Sequence, residues 1–158
     1  MVEAAELPYL RRCVGLAAEA LRVGDEPFGS VLVGADGTVL AEDHGRVASG
    51  DRTRHPEFEL ARWSAARLSS ADRAAATVHT SGAHCPMCAA AHAWVGLGRI
   101  VYIASSEHLT TWLGAWGVPA PPVRTLPVHE VAPGVTVEGP APELVEEVDA
   151  LHRRFHGG

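Results

Sequence analysis

Segments with helical spacing alternate along this chain with short β-prone runs, and this alternation restricts the fold more than any other feature. Helices are expected at residues 9–23, 56–68, 86–95, 107–116 and 143–155. Strands are expected between them, at residues 27–33, 38–40, 76–80, 99–104 and 123–128. Strands that alternate with helices predict an α/β fold, in the form of a three-layer α/β/α sandwich.

The first two strand runs predict the character of the sheet. Asp36-Gly37 lies between them, and Asp-Gly between two β-prone runs is a strong hairpin signal. A hairpin followed by strands that are linked through helices gives a mixed five-stranded sheet. The length of 158 residues predicts a single domain over residues 1–158.

Charge and composition exclude several classes of partner. The formal net charge is −6, and all 13 basic residues are arginine. Phosphate binding needs a basic footprint, so nucleic acid is disfavoured as a partner. No apolar run approaches the roughly 18 residues of a membrane span. The N-terminal segment lacks a secretory pattern, and we expect a cytoplasmic protein without membrane contact.

Three residues have side chains that bind transition metals and stand at predicted helix starts: His55, Cys85 and Cys88. A cysteine at a helix N-terminus has a lowered thiol pKa, and thiolates bind zinc. Three protein ligands with an open fourth position are typical of catalytic zinc, whereas structural zinc is usually closed by four. A thioredoxin-like redox pair and a structural zinc site remain alternatives.

Glu57 follows His55 by two residues and is a candidate for acid–base chemistry. A carboxylate at the same helix end can reach a water on the metal without being a ligand. Zinc lowers the pKa of such a water to about 7. A carboxylate beside it can take up a proton and pass it to a leaving amine.

The combined motif resembles the zinc cytidine/deoxycytidylate deaminase superfamily, whose signature is His-x-Glu followed by Pro-Cys-x-x-Cys. The match consists of His55-Pro56-Glu57 and Cys85-Pro86-Met87-Cys88. Further matching segments are Pro27-Phe28-Gly29, the run from Asp51 to Glu57, and Thr80-Ser81. These segments resemble the bacterial guanine deaminase and nucleoside deaminase branch.

The resemblance implies a function and a set of roles. His55, Cys85 and Cys88 would hold one Zn²⁺ per chain, and Glu57 would be the catalytic proton shuttle. The reaction would be the hydrolytic deamination of a small nucleobase or a related amino-substituted heterocycle, with release of ammonia. Phe28 and Trp94 would form aromatic walls of the base pocket, since Trp94 matches an aromatic of guanine deaminases.

Several positions depart from the family pattern and leave the heterocycle open. The family usually has a base-binding Asn after the hairpin, but this chain contains no Asn or Gln, and His44 is the candidate substitute. His84 replaces the usual proline before Cys85 and is a candidate pocket residue. Residues 113–116 lack the acidic segment of guanine deaminases. A different nucleobase or heterocycle therefore fits as well as guanine.

The C-terminal end carries an aromatic residue and a histidine, whereas tails are normally polar. In the guanine deaminase branch this segment caps the active site, often that of the other subunit. We therefore expect a homodimer in which Phe155 or His156 lies against the base pocket. The alternative functions are a tRNA-type adenosine deaminase, against which the negative charge counts, and a non-catalytic zinc or redox module.

Overall fold

A mixed five-stranded sheet forms the centre of the computed structural model, which describes residues 1–157. The predicted last residue of the domain, Gly158, lies outside the described residues. The strands are β1 Gly29–Val33, β2 Val39–His44, β3 Thr77–Gly82, β4 Ile100–Ala104 and β5 Val137–Glu138. Their order is β2-β1-β3-β4-β5, with β1 antiparallel to β2 and β3, and β3, β4 and β5 parallel.

Helices cover both faces of this sheet, so the predicted three-layer sandwich is confirmed. They are α1 Leu7–Arg22, α2 Pro56–Arg67, α3 Ser70–Ala75, α4 Pro86–Trp94, α5 Ser106–Ala115, α6 Val128–Val131 and α7 Pro142–Phe155. Helices α1 and α7 pack on one face, and α2, α4 and α6 lie on the other. Within residues 1–157, no helix has both the length and the apolar character needed to cross a membrane.

Strand β1 shows why the sheet is buried on both faces. Val31 and Val33 pack with Cys13 of α1, whereas Leu32 packs with Leu60 of α2. Successive side chains of a strand point to opposite faces, so covering both faces buries the whole strand. This accounts for the continuous apolar run in the sequence.

Helix α1 lies close to β1 because Gly29 has no side chain. A Cβ atom at this position would come within 2.3 Å of the Cys13 carbonyl oxygen. The absence of that Cβ lets the helix backbone approach the strand, and the Gly29 N–H donates to Ser81 Oγ of β3. The close contact fixes the end of β1 at which the candidate site lies.

The strand predicted at residues 123–128 is wrong. Residues 123–127 lie outside any helix or strand, and Val128 begins α6. Pro127 lacks the N–H that a strand would donate, and it precedes α6 in an extended conformation. The edge position is taken by β5, which pairs with β4 through Val137 and Glu138.

Candidate active site

The three predicted metal ligands lie together at the ends of two neighbouring helices. His55 Nδ1 lies 3.5 Å from Cys85 Sγ and 3.6 Å from Cys88 Sγ. The two Sγ atoms lie 3.4 Å apart. Among the described residues, this is the group of histidine, cysteine and acidic side chains whose ligand atoms converge on a single point.

Local sequence explains this convergence. Pro56 and Pro86 each occupy the first turn of a helix, where the missing N–H of proline costs nothing. The preceding residues, His55 and Cys85, are therefore the N-caps of α2 and α4. Cys85 Sγ also accepts a hydrogen bond from the Cys88 N–H at 3.5 Å. Two helix starts that face one another thus present all three ligands.

The spacing of the three ligand atoms fits a tetrahedral zinc ion. Zn–S bonds of about 2.3 Å and Zn–N bonds of about 2.0–2.1 Å place two sulfurs about 3.8 Å apart and a sulfur and a nitrogen about 3.6 Å apart. The observed separations are 3.4, 3.5 and 3.6 Å. The donor set of one imidazole and two thiols, with three ligands in place, leaves one coordination position for water or substrate.

The site stabilises a thiolate before any metal binds. Hydrogen bonds with Cys88 and then His55 lower the pKa of Cys85 to about 4 against the effect of burial. The same contact with Cys85 raises the pKa of His55 to about 9. Metal binding to these three residues must release protons, so metal affinity rises with pH.

Glu57 lies in the first turn of α2 and is 5% exposed. Its Oε1 accepts hydrogen bonds from Thr80 Oγ1 at 2.8 Å and from Ser30 Oγ at 3.1 Å. Burial raises the pKa of Glu57, and the hydrogen bond from Thr80 offsets only part of that rise. A carboxyl group whose pKa is raised in this way is suited to take up and release protons.

The loop before α2 explains the Asp51-x-Thr53-x-His55 motif. Asp51 Oδ1 accepts hydrogen bonds from the N–H and the hydroxyl of Thr53, at 2.9 and 2.7 Å. The His55 N–H donates to the Thr53 carbonyl oxygen at 2.7 Å. Such side-chain-to-backbone turns fix a loop without secondary structure. Asp51 and Thr53 therefore position the ligand His55.

Phe28 lies at the same end of the sheet as the metal ligands. A Cβ atom on Gly82 would meet the Phe28 ring at 3.1 Å, and Gly82 precedes Cys85 by three residues. The ring also contacts His152 of α7, with ring centroids 4.8 Å apart. This placement is compatible with Phe28 as a wall of the base pocket.

His44 ends β2 opposite Gly29, one residue from the Ser30 that contacts Glu57. It therefore lies at the end of the sheet that carries the candidate site. Its Nδ1 lies 2.9 Å from the Gly45 carbonyl oxygen. In a neutral imidazole that donates from Nδ1, Nε2 is a hydrogen-bond acceptor.

Trp94 and His84 do not occupy the places expected for pocket residues. Trp94 ends α4, roughly 9 Å beyond Cys88 at 1.5 Å of helical rise per residue, and it is 88% exposed. It therefore does not line the site of its own chain. His84 is fully buried and contacts the ring of His92 on α4. His84 thus packs beneath the cysteine loop.

Phe155 and His156 lie at the end of α7 and contact each other. His156 also contacts the Trp116 ring, with centroids 6.1 Å apart. The histidine that contacts Phe28 is His152, one helical turn earlier. Helix α7 therefore reaches Phe28 through His152 within a chain, and closure of a partner's pocket by Phe155 or His156 stays a prediction.

Sequence reasoning missed three residues that the structure brings to this region: Ser30, Thr80 and His152. A signal for His152 was present, because Leu144, Val148 and His152 recur every four residues and form one buried stripe. The hydroxyl of Ser30 carried no such signal, and Thr80 belonged only to a segment that matched the family, with no role assigned to it. Their contact with Glu57 depends on the pairing of β1 with β3, in which Ser30 lies opposite Thr80.

A family comparison gives this geometry a context. The model described as the cytidine and deoxycytidylate deaminase zinc-binding region matches residues 5–104. This range includes His55, Glu57, Cys85 and Cys88, and it ends with β4.

Two curated relatives share this part of the chain. A "probable cytosine deaminase" of Schizosaccharomyces pombe is 31% identical over 104 residues, which cover 66% of this chain and 63% of that protein. The guanine deaminase of Bacillus subtilis is 35% identical over 102 residues, which cover 63% of this chain and 64% of that protein. The chain thus matches less than two thirds of the length of either relative.

A solved structure extends the comparison to the whole chain. The guanine deaminase from Nitrosomonas europaea is 21% identical and superposes with a TM-score of 0.73. The superposition covers 100% of this chain and 88% of that one. At this identity, the similarity establishes the fold, including the C-terminal part beyond residue 104.

Proposed function

The chain belongs to the family of the cytidine and deoxycytidylate deaminases, and on this premise we propose that it is a hydrolytic deaminase of nucleobase-like heterocycles. One observation carries the proposal most directly. The buried carboxyl of Glu57, held by Ser30 and Thr80, follows by two residues a histidine whose ring lies against two cysteine sulfurs. A redox pair would not need that carboxyl group.

His55, Cys85 and Cys88 would hold the zinc ion, in agreement with their spacing. Bound zinc would supply Lewis acidity and lower the pKa of a water molecule in the remaining coordination position. The protein contributes the fixed orientation of the three ligands through the two helix N-caps.

Glu57 supplies the acid–base chemistry. It accepts a proton from the attacking water and delivers it to the ring nitrogen of the substrate. It then transfers the second proton of that water to the leaving amine, so that the products are ammonia and a ring carbonyl. Both hydroxyl hydrogen bonds go to Oε1, which leaves Oε2 to exchange these protons. The raised pKa of Glu57 suits a group that must both accept and donate a proton.

The substrate we propose is a free base and not a nucleoside. Two relatives bear the names guanine deaminase and probable cytosine deaminase, both of which denote enzymes of free bases. Phe28 would contact one face of the ring, and His44 would lie at its edge. Flat aromatic contact is tolerant of ring type, so the hydrogen-bonding groups select the heterocycle.

An ammonia-release screen tests the proposal. Cytosine, guanine, isoguanine, adenine, their nucleosides, amino-triazines and folded tRNA are each incubated with the zinc-loaded enzyme and with Glu57→Gln. We expect release from at least one free base by wild type only. Higher kcat/KM for a nucleoside than for its base would overturn the choice of substrate. Release from folded tRNA alone would favour the tRNA-type adenosine deaminase. No release from any substrate would favour a non-catalytic zinc module.

We also propose a homodimer in which the C-terminal tail closes the partner's pocket. In its own chain, His156 of this tail contacts Trp116, and the α7 residue in contact with Phe28 is His152. Deletion of residues 155–158 should lower kcat/KM at least about tenfold through entry of water, with zinc content unchanged. Sedimentation gives the oligomeric state. A monomer, or full activity of the truncated protein, would contradict this arrangement.

A further inference from the structure

A buried histidine on α7 stands next to the candidate base pocket without a hydrogen-bond partner. His152 is 2% exposed, and its ring meets the Phe28 ring edge-on with centroids 4.8 Å apart. On its other side it lies 6.3 Å from the Trp112 ring of α5. These aromatic neighbours fix the orientation of the imidazole.

The ring nitrogen Nε2 of His152 is buried and makes no hydrogen bond within residues 1–157. Buried polar atoms are almost always paired, and one left unpaired weakens the fold. Desolvation lowers the pKa of His152 to about 3, and the nearby His156 adds to this effect. The ring is therefore neutral, and each of its nitrogens is either a donor or an acceptor.

The surroundings of His152 connect it to the metal ligands. The Phe28 ring contacts His152 and also lies against Gly82 at the end of β3. The cysteine loop begins directly after Gly82, and Cys85 follows by three residues. A flat ring that rests on Phe28 would thus lie near both the metal ligands and α7.

The composition of the chain adds a chemical reason. The edge of an amino-substituted heterocycle presents donors and acceptors side by side, and Asn or Gln normally pairs with such an edge. This chain has neither residue. A neutral imidazole is an uncharged planar side chain that offers both a donor and an acceptor.

We propose that His152 is a specificity-determining residue, whose Nε2 forms a hydrogen bond with the polar edge of the heterocycle that rests on Phe28. This inference depends on the proposed deaminase function, and it adds a substrate contact from α7 that lies outside the matched residues 5–104. The contact pairs the buried nitrogen only when the substrate is present, so it favours substrates with a complementary edge.

Kinetics of two substitutions at this position test the inference. His152→Phe keeps a ring against Phe28 and Trp112 but removes both nitrogens, whereas His152→Asn restores a donor and an acceptor. With the best substrate of the ammonia screen, we expect His152→Phe to raise KM about tenfold and to change kcat less than about threefold. His152→Asn should recover part of the affinity.

A control separates this role from simple packing. Val148→Ala removes buried apolar volume from the same helix one turn away, without contact to the Phe28 ring. It should lower the thermal midpoint and leave KM within about twofold of wild type, since it removes no polar group. Equal KM values for wild type and His152→Phe would overturn the inference, as would an equal rise in KM for Val148→Ala.

A spectroscopic arm does not depend on the folding of the His152 variants. In the inactive Glu57→Gln protein, the ¹⁵N resonance of His152 Nε2 should shift when the same base is added, because a new hydrogen bond forms. An unshifted resonance at saturating base would overturn the contact while leaving the deaminase function intact. If wild type releases ammonia from no heterocycle, the proposed function fails and this inference fails with it.

Discussion

Two adjacent residues of β3, His79 and Thr80, point to opposite faces of the sheet and belong to polar networks of different kinds. On the α2 face, Thr80 donates to the buried Glu57 together with the neutral hydroxyl of Ser30. On the α1 face, His79 pairs with Glu6, whose other oxygen accepts from Arg99 at 2.6 Å. Each network thus surrounds one glutamate.

The two glutamates differ in what surrounds them. Burial raises the pKa of Glu57, and its hydroxyl neighbours compensate only in part. Burial acts in the same direction on Glu6, but hydrogen bonds from His79 and Arg99 outweigh it and lower the pKa. Neutral donors therefore leave a carboxyl able to take up a proton, whereas a guanidinium keeps it ionised. The network around Glu57 is suited to catalysis and the network around Glu6 to structure.

Removal of a metal ligand on the α2 face should have the largest effect, compared with a matched cysteine substitution on the α1 face. Cys88→Ala should reduce zinc from about one ion per chain to nearly none, because two ligands hold the ion far less tightly. Cys13→Ala is the matched control, since Cys13 is a buried free cysteine on the α1 face. Elemental analysis after dialysis measures both. Equal zinc in the two variants would contradict the assignment of the site.

Substitution of the two glutamates should separate activity from structure. Glu57→Gln should retain zinc and fold but lose about 10²–10⁴-fold in kcat, because the amide cannot exchange protons. Glu6→Gln should keep kcat within about threefold of wild type while lowering the thermal midpoint, because it weakens the contacts with His79 and Arg99. Steady-state kinetics measure kcat, and thermal unfolding measures the midpoint. Retention of more than about a tenth of kcat in Glu57→Gln would assign that residue another role.

Acid should destabilise the protein through buried histidines on the α1 and α7 face. Burial lowers the pKa of His79 and lowers that of His152 to about 3. A lowered pKa in the folded state means that the stability is present above about pH 6.5 and is lost as the pH falls towards the folded value. His152 alone should account for about 2 kcal/mol of the free energy of unfolding lost between pH 7 and pH 5.

Denaturant unfolding of wild type and His152→Phe at both pH values measures this loss. The pH dependence of the variant should be smaller by that amount, since it has no imidazole to protonate. Identical pH dependence in the two proteins would show that His152 titrates normally.

Thr80→Val should give the smallest effect and tests whether the hydroxyl network orients Glu57. The substitution removes the 2.8 Å hydrogen bond to Oε1 with little change in side-chain volume. We expect kcat to fall about fivefold with KM nearly constant, in line with about 1 kcal/mol for one hydrogen bond. Thr80→Ser, which keeps the hydroxyl, should remain near wild type. A loss in Thr80→Ser as large as in Thr80→Val would point to packing instead.

Some features of the molecule follow from local sequence. Pro56 and Pro86 mark two helix starts, and the residues directly before them become N-caps whatever the rest of the chain does. The positions of His55 and Cys85 at helix ends could therefore be predicted. The hairpin at Asp36-Gly37 also follows from local sequence, and β1 and β2 are paired as expected.

Other features could not be predicted because they depend on partners that are distant in sequence. The run 123–128 is β-prone, but strand formation depends on a free edge, and β5 occupies the edge of β4 instead. Arg99, directly before β4, pairs with Glu138 of β5 at 2.7 Å, and this ion pair supports the position of β5 at the edge. Trp94 matched an aromatic position in the sequence, yet the direction of α4 carries it away from the ligands.

The sequence by itself determined the candidate ligand set, the catalytic candidate and the β1–β2 hairpin, because each depends on residue type and short-range spacing. Only the tertiary structure decided the pKa values and the orientations of those groups. The pairing of β1 with β3 places Ser30 and Thr80 on Glu57, and the packing of α7 places His152 on Phe28. These contacts join residues 23 to 124 positions apart, and a pKa or an orientation depends on such neighbours and on burial.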